Sequence, residues 1–207
     1  MRHALLAAAA ILLAPTVASA TTVTDAVGDF APGYTGAAAD LDVTSFSVVY
    51  NPTSQIFTFG ATFAGAINPA TVGTYVIGVN TGTGTNAPFA SLGAPNVRFN
   101  TTFRVNKDGS TTLAGVTALI AGNGFTVNVA SSAFTSTGFT PDRYGFNLWP
   151  RDGVGAGTFV TDFAPNDGTI AAAPEPGSWA LLIMGFGLAG VALRRRPART
   201  LKTLRFS

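Results

Sequence analysis

The segment Phe46-Ser-Val-Val-Tyr50-Asn-Pro-Thr-Ser-Gln-Ile-Phe57-Thr-Phe59-Gly-Ala61-Thr-Phe63 decides the fold. Phe46, Val48 and Tyr50 alternate with Ser47 and Val49, and Phe57, Phe59, Ala61 and Phe63 alternate with Thr58, Gly60 and Thr62. A period of two places every second side chain on one face of an extended strand. Asn51-Pro-Thr-Ser54 between the two runs has turn chemistry. The segment is therefore expected to form a β-hairpin with one aromatic face.

The same pattern extends in both directions. Tyr75, Ile77 and Val79 make a strand, followed by a loop from Thr81 to Asn86. Val97 to Val105 is a second, and Asn106-Lys-Asp-Gly109 turns into a third from Ser110 to Val116. Phe125, Val127 and Val129 alternate again, and Tyr144 to Trp149 and Thr158 to Phe163 complete the set. Gly153 to Gly157 has the composition of a flexible loop. No window between the chain's ends keeps a helical period. Short strands separated by turns at this spacing predict an all-β fold, a single β-sandwich of seven to nine antiparallel strands over residues 21–165. Residues 166–173 are read as a linker.

Both ends have a different character. Arg2 and His3 precede an apolar stretch from Ala4 to Ala14, too short to span a bilayer, and Ala18-Ser-Ala20 has small residues at the two cleavage-site positions. Residues 1–20 are therefore expected to be a signal peptide cut after Ala20. At the other end, Gly177 to Leu193 is an uncharged apolar run closed by Arg194, Arg195 and Arg196. As a helix it would extend about 25 Å, near the lower limit for a transmembrane segment, with the arginines holding its end on the cytoplasmic side. Residues 197–207 would then be a short cytoplasmic tail. Gly185-Phe-Gly187-Leu-Ala-Gly190 spells a dinucleotide-binding turn, but no acidic residue follows at the required distance. Small residues in an apolar helix instead permit close helix contact.

The C-terminal order Pro174-Glu175-Pro176, Trp179, Gly185-Phe-Gly187 and Arg194-Arg-Arg196 resembles the PEP-CTERM sorting domain of Gram-negative bacteria. The resemblance covers about the last thirty residues. It implies an exosortase that recognises Pro-Glu-Pro and processes the tail, a transient membrane anchor, and a final location at the cell surface or outside it. Association with exopolysaccharide is a further implication. Most members end soon after the arginines, whereas this chain continues from Pro197 to Ser207.

Without its two ends the chain is acidic. Nine aspartates against five lysines and arginines between Thr21 and Ala173 leave a net charge of −4. The basic stripe expected of a nucleic-acid-binding domain is missing. That body contains no His, Cys or Glu, which excludes Ser-His-Asp and Cys-His catalysis, His/Cys zinc sites and disulfides. An Asp-only glycan hydrolase is the one hydrolytic alternative the inventory leaves, and a non-enzymatic protein is the expectation.

The aspartates gather near the start, as Asp25 and Asp29 and then Asp40 and Asp42. In an extended segment the last two would face the same way, roughly 6–7 Å apart. Two readings stand. Such residues commonly cap turns, and an all-oxygen donor set suits Ca²⁺.

Asp25, Gly28-Asp-Phe30 and Asp40-Leu-Asp-Val43, with Tyr144 to Arg151, are similar to parts of DOMON-like and family-nine carbohydrate-binding sandwiches. That resemblance implies a polysaccharide ligand held on aromatic rings, for which Tyr34, Tyr144 and Trp149 are the candidates. Core packing is the commoner role for such a tryptophan. Some relatives hold haem, but the body between Thr21 and Ala173 has neither His nor Met, so axial ligands are lacking and no cofactor is expected.

Overall fold

A computed structural model describes residues 20–83, 86–153, 159–172 and 185–187. The sheets lie within a compact unit, Ala18–Glu175. Outside it only 185–187 are described, and they are helical. No described helix is long and apolar enough to cross a membrane. The expected signal peptide and the greater part of the expected transmembrane helix lie outside the described residues.

Nine strands form two antiparallel sheets among the described residues, as an all-β sandwich requires. The first sheet runs in the order β1 (Thr21–Thr24), β2 (Val43–Asn51), β3 (Ile56–Phe63), β7 (Gly124–Ala130), β6 (Ala118–Ala121). The second runs β5 (Thr101–Asn106), β4 (Thr74–Asn80), β8 (Gly145–Arg151), β9 (Ile170–Ala171). The quoted hairpin is β2 and β3, paired from Asn51↔Ile56 to Val43↔Phe63. Its alternation becomes burial: Phe46, Val48, Phe57, Phe59 and Phe63 are all inaccessible to solvent.

Aromatic rings join the two sheets. Phe59 of the first lies 5.3 Å from Phe103 and 5.2 Å from Phe146 of the second, both edge-on. Each buried phenylalanine is worth about 1.5–3 kcal/mol through area removed from water, with a further contribution from edge-to-face geometry. A smaller cluster covers the outer face of the second sheet, where Trp149 and Val76 pack with Ala31, Ala94, Val97 and Phe163. Strands β4 and β8 are thus covered on both faces, and alternation fades into runs of buried residues. Gly78 is required there, because a Cβ would stand 2.4 Å from the Trp149 ring.

Five segments differ from the sequence expectation. Ser110–Val116 makes only isolated bridges, Val105↔Thr111 and Ser110↔Thr117. The Thr111 hydroxyl donates to the carbonyls of Leu113 and Val116, so a local turn takes the acceptors a ladder would use. Residues 159–164 run beside β8 with bridges at Val160 and Ala164; Pro150, lacking an N–H, only accepts there, from Thr161. The expected linker 166–173 instead contains β9. The Asn147 side chain donates to the carbonyls of Pro165 and Gly168, Ile170 pairs with Phe146, and Ala172 is buried. Strands β1 and β6 went unread because each has only four residues. Gly122, at φ 59°, opens the two-residue loop joining β6 to β7, a tight-hairpin position that favours glycine.

Candidate functional site

A short 3-10 turn, Ala39–Leu41, precedes β2 and separates Asp40 from Asp42. The turn replaces the extended geometry expected of this pair, so the two carboxylates reach different neighbourhoods. Asp40 leaves the acidic group altogether. Its Oδ2 lies 2.7 Å from Nζ of Lys107, with both side chains almost wholly buried. The Asn68 N–H also donates to that oxygen, at 3.3 Å. Lys107 donates in addition to the Thr71 hydroxyl at 2.7 Å, and the Tyr75 hydroxyl donates to the Asp40 carbonyl at 3.0 Å. A cleft of about 550 Å³ opens beside the pair, lined by Tyr34, Asn68, Val72 and Asp152 among others.

Asp42 closes on the loop after β1. Gly28, at φ 83°, points its N–H at Asp42 Oδ2, 2.9 Å away, leaving Asp42 Oδ1 buried with no hydrogen-bond partner. Asp25 and Asp29 flank that glycine, and Asp162 arrives from the far end of the chain. Asp25, Asp29 and Asp162 each place a carboxylate oxygen within 4.8 Å of the others'. Asp162 is 1% exposed, held by N–H donors from Val43 at 2.7 Å and Phe163 at 2.8 Å. Asp25 Oδ2 is buried without a partner, and Asn166 donates its side-chain N–H to Asp29 at 3.0 Å.

The electrostatics follow from the burial. Desolvation, then the charges of Asp25 and Asp29, push Asp162 up to about 8 against the N–H donors that favour its carboxylate. Asp25 rises to about 6, chiefly by burial and next by the charge of Asp29. Burial also raises Asp42. Among the described residues every charge acting on these three is another aspartate. Such an arrangement can attract a cation or hold protons.

Of the four aspartates read as candidates, the structure brings Asp25 and Asp29 together with Asp162, holds Asp42 on the Gly28 N–H and sends Asp40 to Lys107; sequence reasoning missed Asp162 and Asn166. The only local sign of Asp162 was an acid in an otherwise apolar run, Phe159-Val-Thr-Asp-Phe-Ala164. The aromatic candidates divide similarly. Tyr144 and Trp149 are 2% and 3% exposed and belong to the cores, so neither offers a sugar a face. Tyr34 is half-buried, 5.2 Å from the Phe30 ring, and remains at the cleft.

The other site is the sorting segment. Gly185 and Gly187 fall in the described helical turn and Ala20 lies exposed just before β1. Ala18, Pro174, Glu175, Pro176, Trp179 and Arg194 to Arg196 lie outside the described residues. Taken together, the chain is a two-sheet all-β body followed by a C-terminal sorting signal. Residues 172–196 match the PEP-CTERM protein-sorting motif, and the match supports an exported, exosortase-sorted protein destined for the cell surface or the exterior. No curated protein matches the chain.

Proposed function

We propose that this is a non-enzymatic protein of the cell surface or extracellular matrix, associated with exopolysaccharide. In this reading the signal peptide of residues 1–20 directs export, and the apolar run 177–193 holds the chain in the inner membrane until exosortase processes it. The sorting motif over residues 172–196 carries the reading. The body adds support through what it lacks, since it has no His, Cys or Glu from which the common hydrolytic sites are built.

Proline at 174 and 176 fixes φ and withholds two backbone donors, which favours an extended segment that an enzyme can grip. Glu175 between them is the one carboxylate from Pro174 to the C-terminus. Replacing Pro174, Glu175 and Pro176 with alanine should leave export intact and block processing. The full-length chain then accumulates in the inner membrane of a host that has the exosortase, seen by fractionation and immunoblot. Processing and release equal to wild type would reject the reading.

A second reading, a carbohydrate-binding module, has one observation in its favour. The cleft of about 550 Å³ is the size of small-molecule sites, and Tyr34 supplies a partly exposed ring with amide, hydroxyl and carboxylate groups around it. Retention of the released protein on its producer's own polysaccharide separates specific binding from mere display at the surface.

A further inference from the structure

We propose that Asp25, Asp29 and Asp162 form a binding site for one divalent cation of the calcium class. The inference is independent of how the tail is processed. Three oxygens within 4.8 Å of one another fit around a single ion, because two ligands on opposite sides of Ca²⁺ at about 2.4 Å stand about 4.8 Å apart. Mg²⁺ demands near-ideal octahedral geometry and dehydrates reluctantly, so a cluster of protein carboxylates suits Ca²⁺ better. The donor set is oxygen alone, which favours a hard cation over zinc or copper.

The acidic cluster does not stand by itself. Asp42, 3% exposed, has one oxygen fixed by Gly28 and the other buried with nothing to accept from. Asp25 has a buried oxygen in the same condition. A buried acceptor without a partner is costly, more so when charged; a cation held by Asp25, Asp29 and Asp162 satisfies the one on Asp25 and offsets the charge of Asp42 nearby. The oriented N–H donors on Asp162 are the outer contacts that hold a metal-ligating carboxylate in position. Asn166, already on Asp29, offers a further oxygen when its amide is turned over.

Such an ion would join the first loop of the body to the segment before β9, clamping residues 25–29 to residue 162. Extracellular calcium modules bind with Kd of about 10⁻⁴–10⁻³ M, the range expected if the protein is exported.

The test is a thermal melt of the full chain in non-ionic detergent with CaCl₂ from 0.01 to 10 mM, with MgCl₂ and EDTA controls and calorimetric titration. A site that prefers the folded state should raise Tm by about 5–10 °C at a hundredfold excess over Kd. EDTA should reverse the rise, MgCl₂ should give a smaller one, and the stoichiometry should be one. Asp25→Asn should weaken binding at least tenfold. Asp29→Asn provides the second variant: its side chain is exposed, so the fold should survive while affinity falls. A Tm unmoved by 10 mM CaCl₂, or a calcium response unchanged in both variants, would overturn the site.

Discussion

Asp40 and Asp42 are two residues apart, yet they belong to opposite kinds of environment. Asp40 meets a buried lysine at 2.7 Å and two further donors. Asp42 meets Gly28 and otherwise the charges of other aspartates. The contrast shows that an acid's role is decided by what the fold brings to it from a distance. Lys107 comes from the turn after β5 and Asp162 from the segment beside β8, and neither is near in sequence.

The largest expected effect breaks the compensated side. Lys107→Met keeps most of the buried stem and removes its charge, leaving Asp40 buried and unpaired. Breaking one partner of a buried pair costs about 3–5 kcal/mol, read as the change in denaturant midpoint at constant slope. Adding Asp40→Asn should restore part of the loss. A single-variant cost below about 1 kcal/mol would place the pair with solvent-screened surface bridges and dissolve the contrast.

A smaller effect of opposite sign is expected in the uncompensated cluster. In EDTA, Asp25→Asn removes a half-buried charge set against Asp29 and Asp42 and supplies an N–H₂ donor to neighbours that only accept. Its Tm should rise by a few degrees without cation, while the response to calcium falls. Destabilisation in EDTA would mean that the cluster is already compensated.

These two neighbourhoods also mark how far the sequence could be read. The hairpin was legible because Phe57, Phe59 and Phe63 obey a local period of two, and one buried face is all that period needs to specify. Asp25 and Asp29 were legible as neighbours because one short loop holds them. The 3-10 turn at Ala39–Leu41 was not, since nothing in Ala-Ala-Asp-Leu-Asp distinguishes it from an extended run, and it alone sends Asp40 elsewhere. Asp162 lies 119 residues from the Val43 N–H it accepts, a pairing fixed by the packing of two sheets rather than by any local pattern. Strand β9 was hidden for the same reason: its place is set by Asn147, a polar residue buried beneath it.

Asp108 supplies the reference point between these extremes, an acid with local partners and no burial. It sits in the turn after β5, and its Oδ1 accepts from both the hydroxyl and the N–H of Ser110, at 2.6 and 2.9 Å. Those bonds favour the carboxylate and hold its pKa below the ordinary 3.8. A depressed folded-state pKa adds stability above the unfolded value, and that stability is lost as pH falls through the folded one. The wild type should therefore melt slightly above Asp108→Ala at neutral pH, with the gap closing only in the acid range, from near pH 4 downward. Solvent screens this exposed group, so the difference should be the smallest of the three, and an NMR titration of the Asp108 carboxyl carbon is the sharper measurement. A midpoint at or above 3.8 would show that Ser110 does not hold the carboxylate in solution. A gap at neutral pH rivalling that of Lys107→Met would show that local hydrogen bonds, rather than burial against a distant partner, set how much an aspartate matters in this fold.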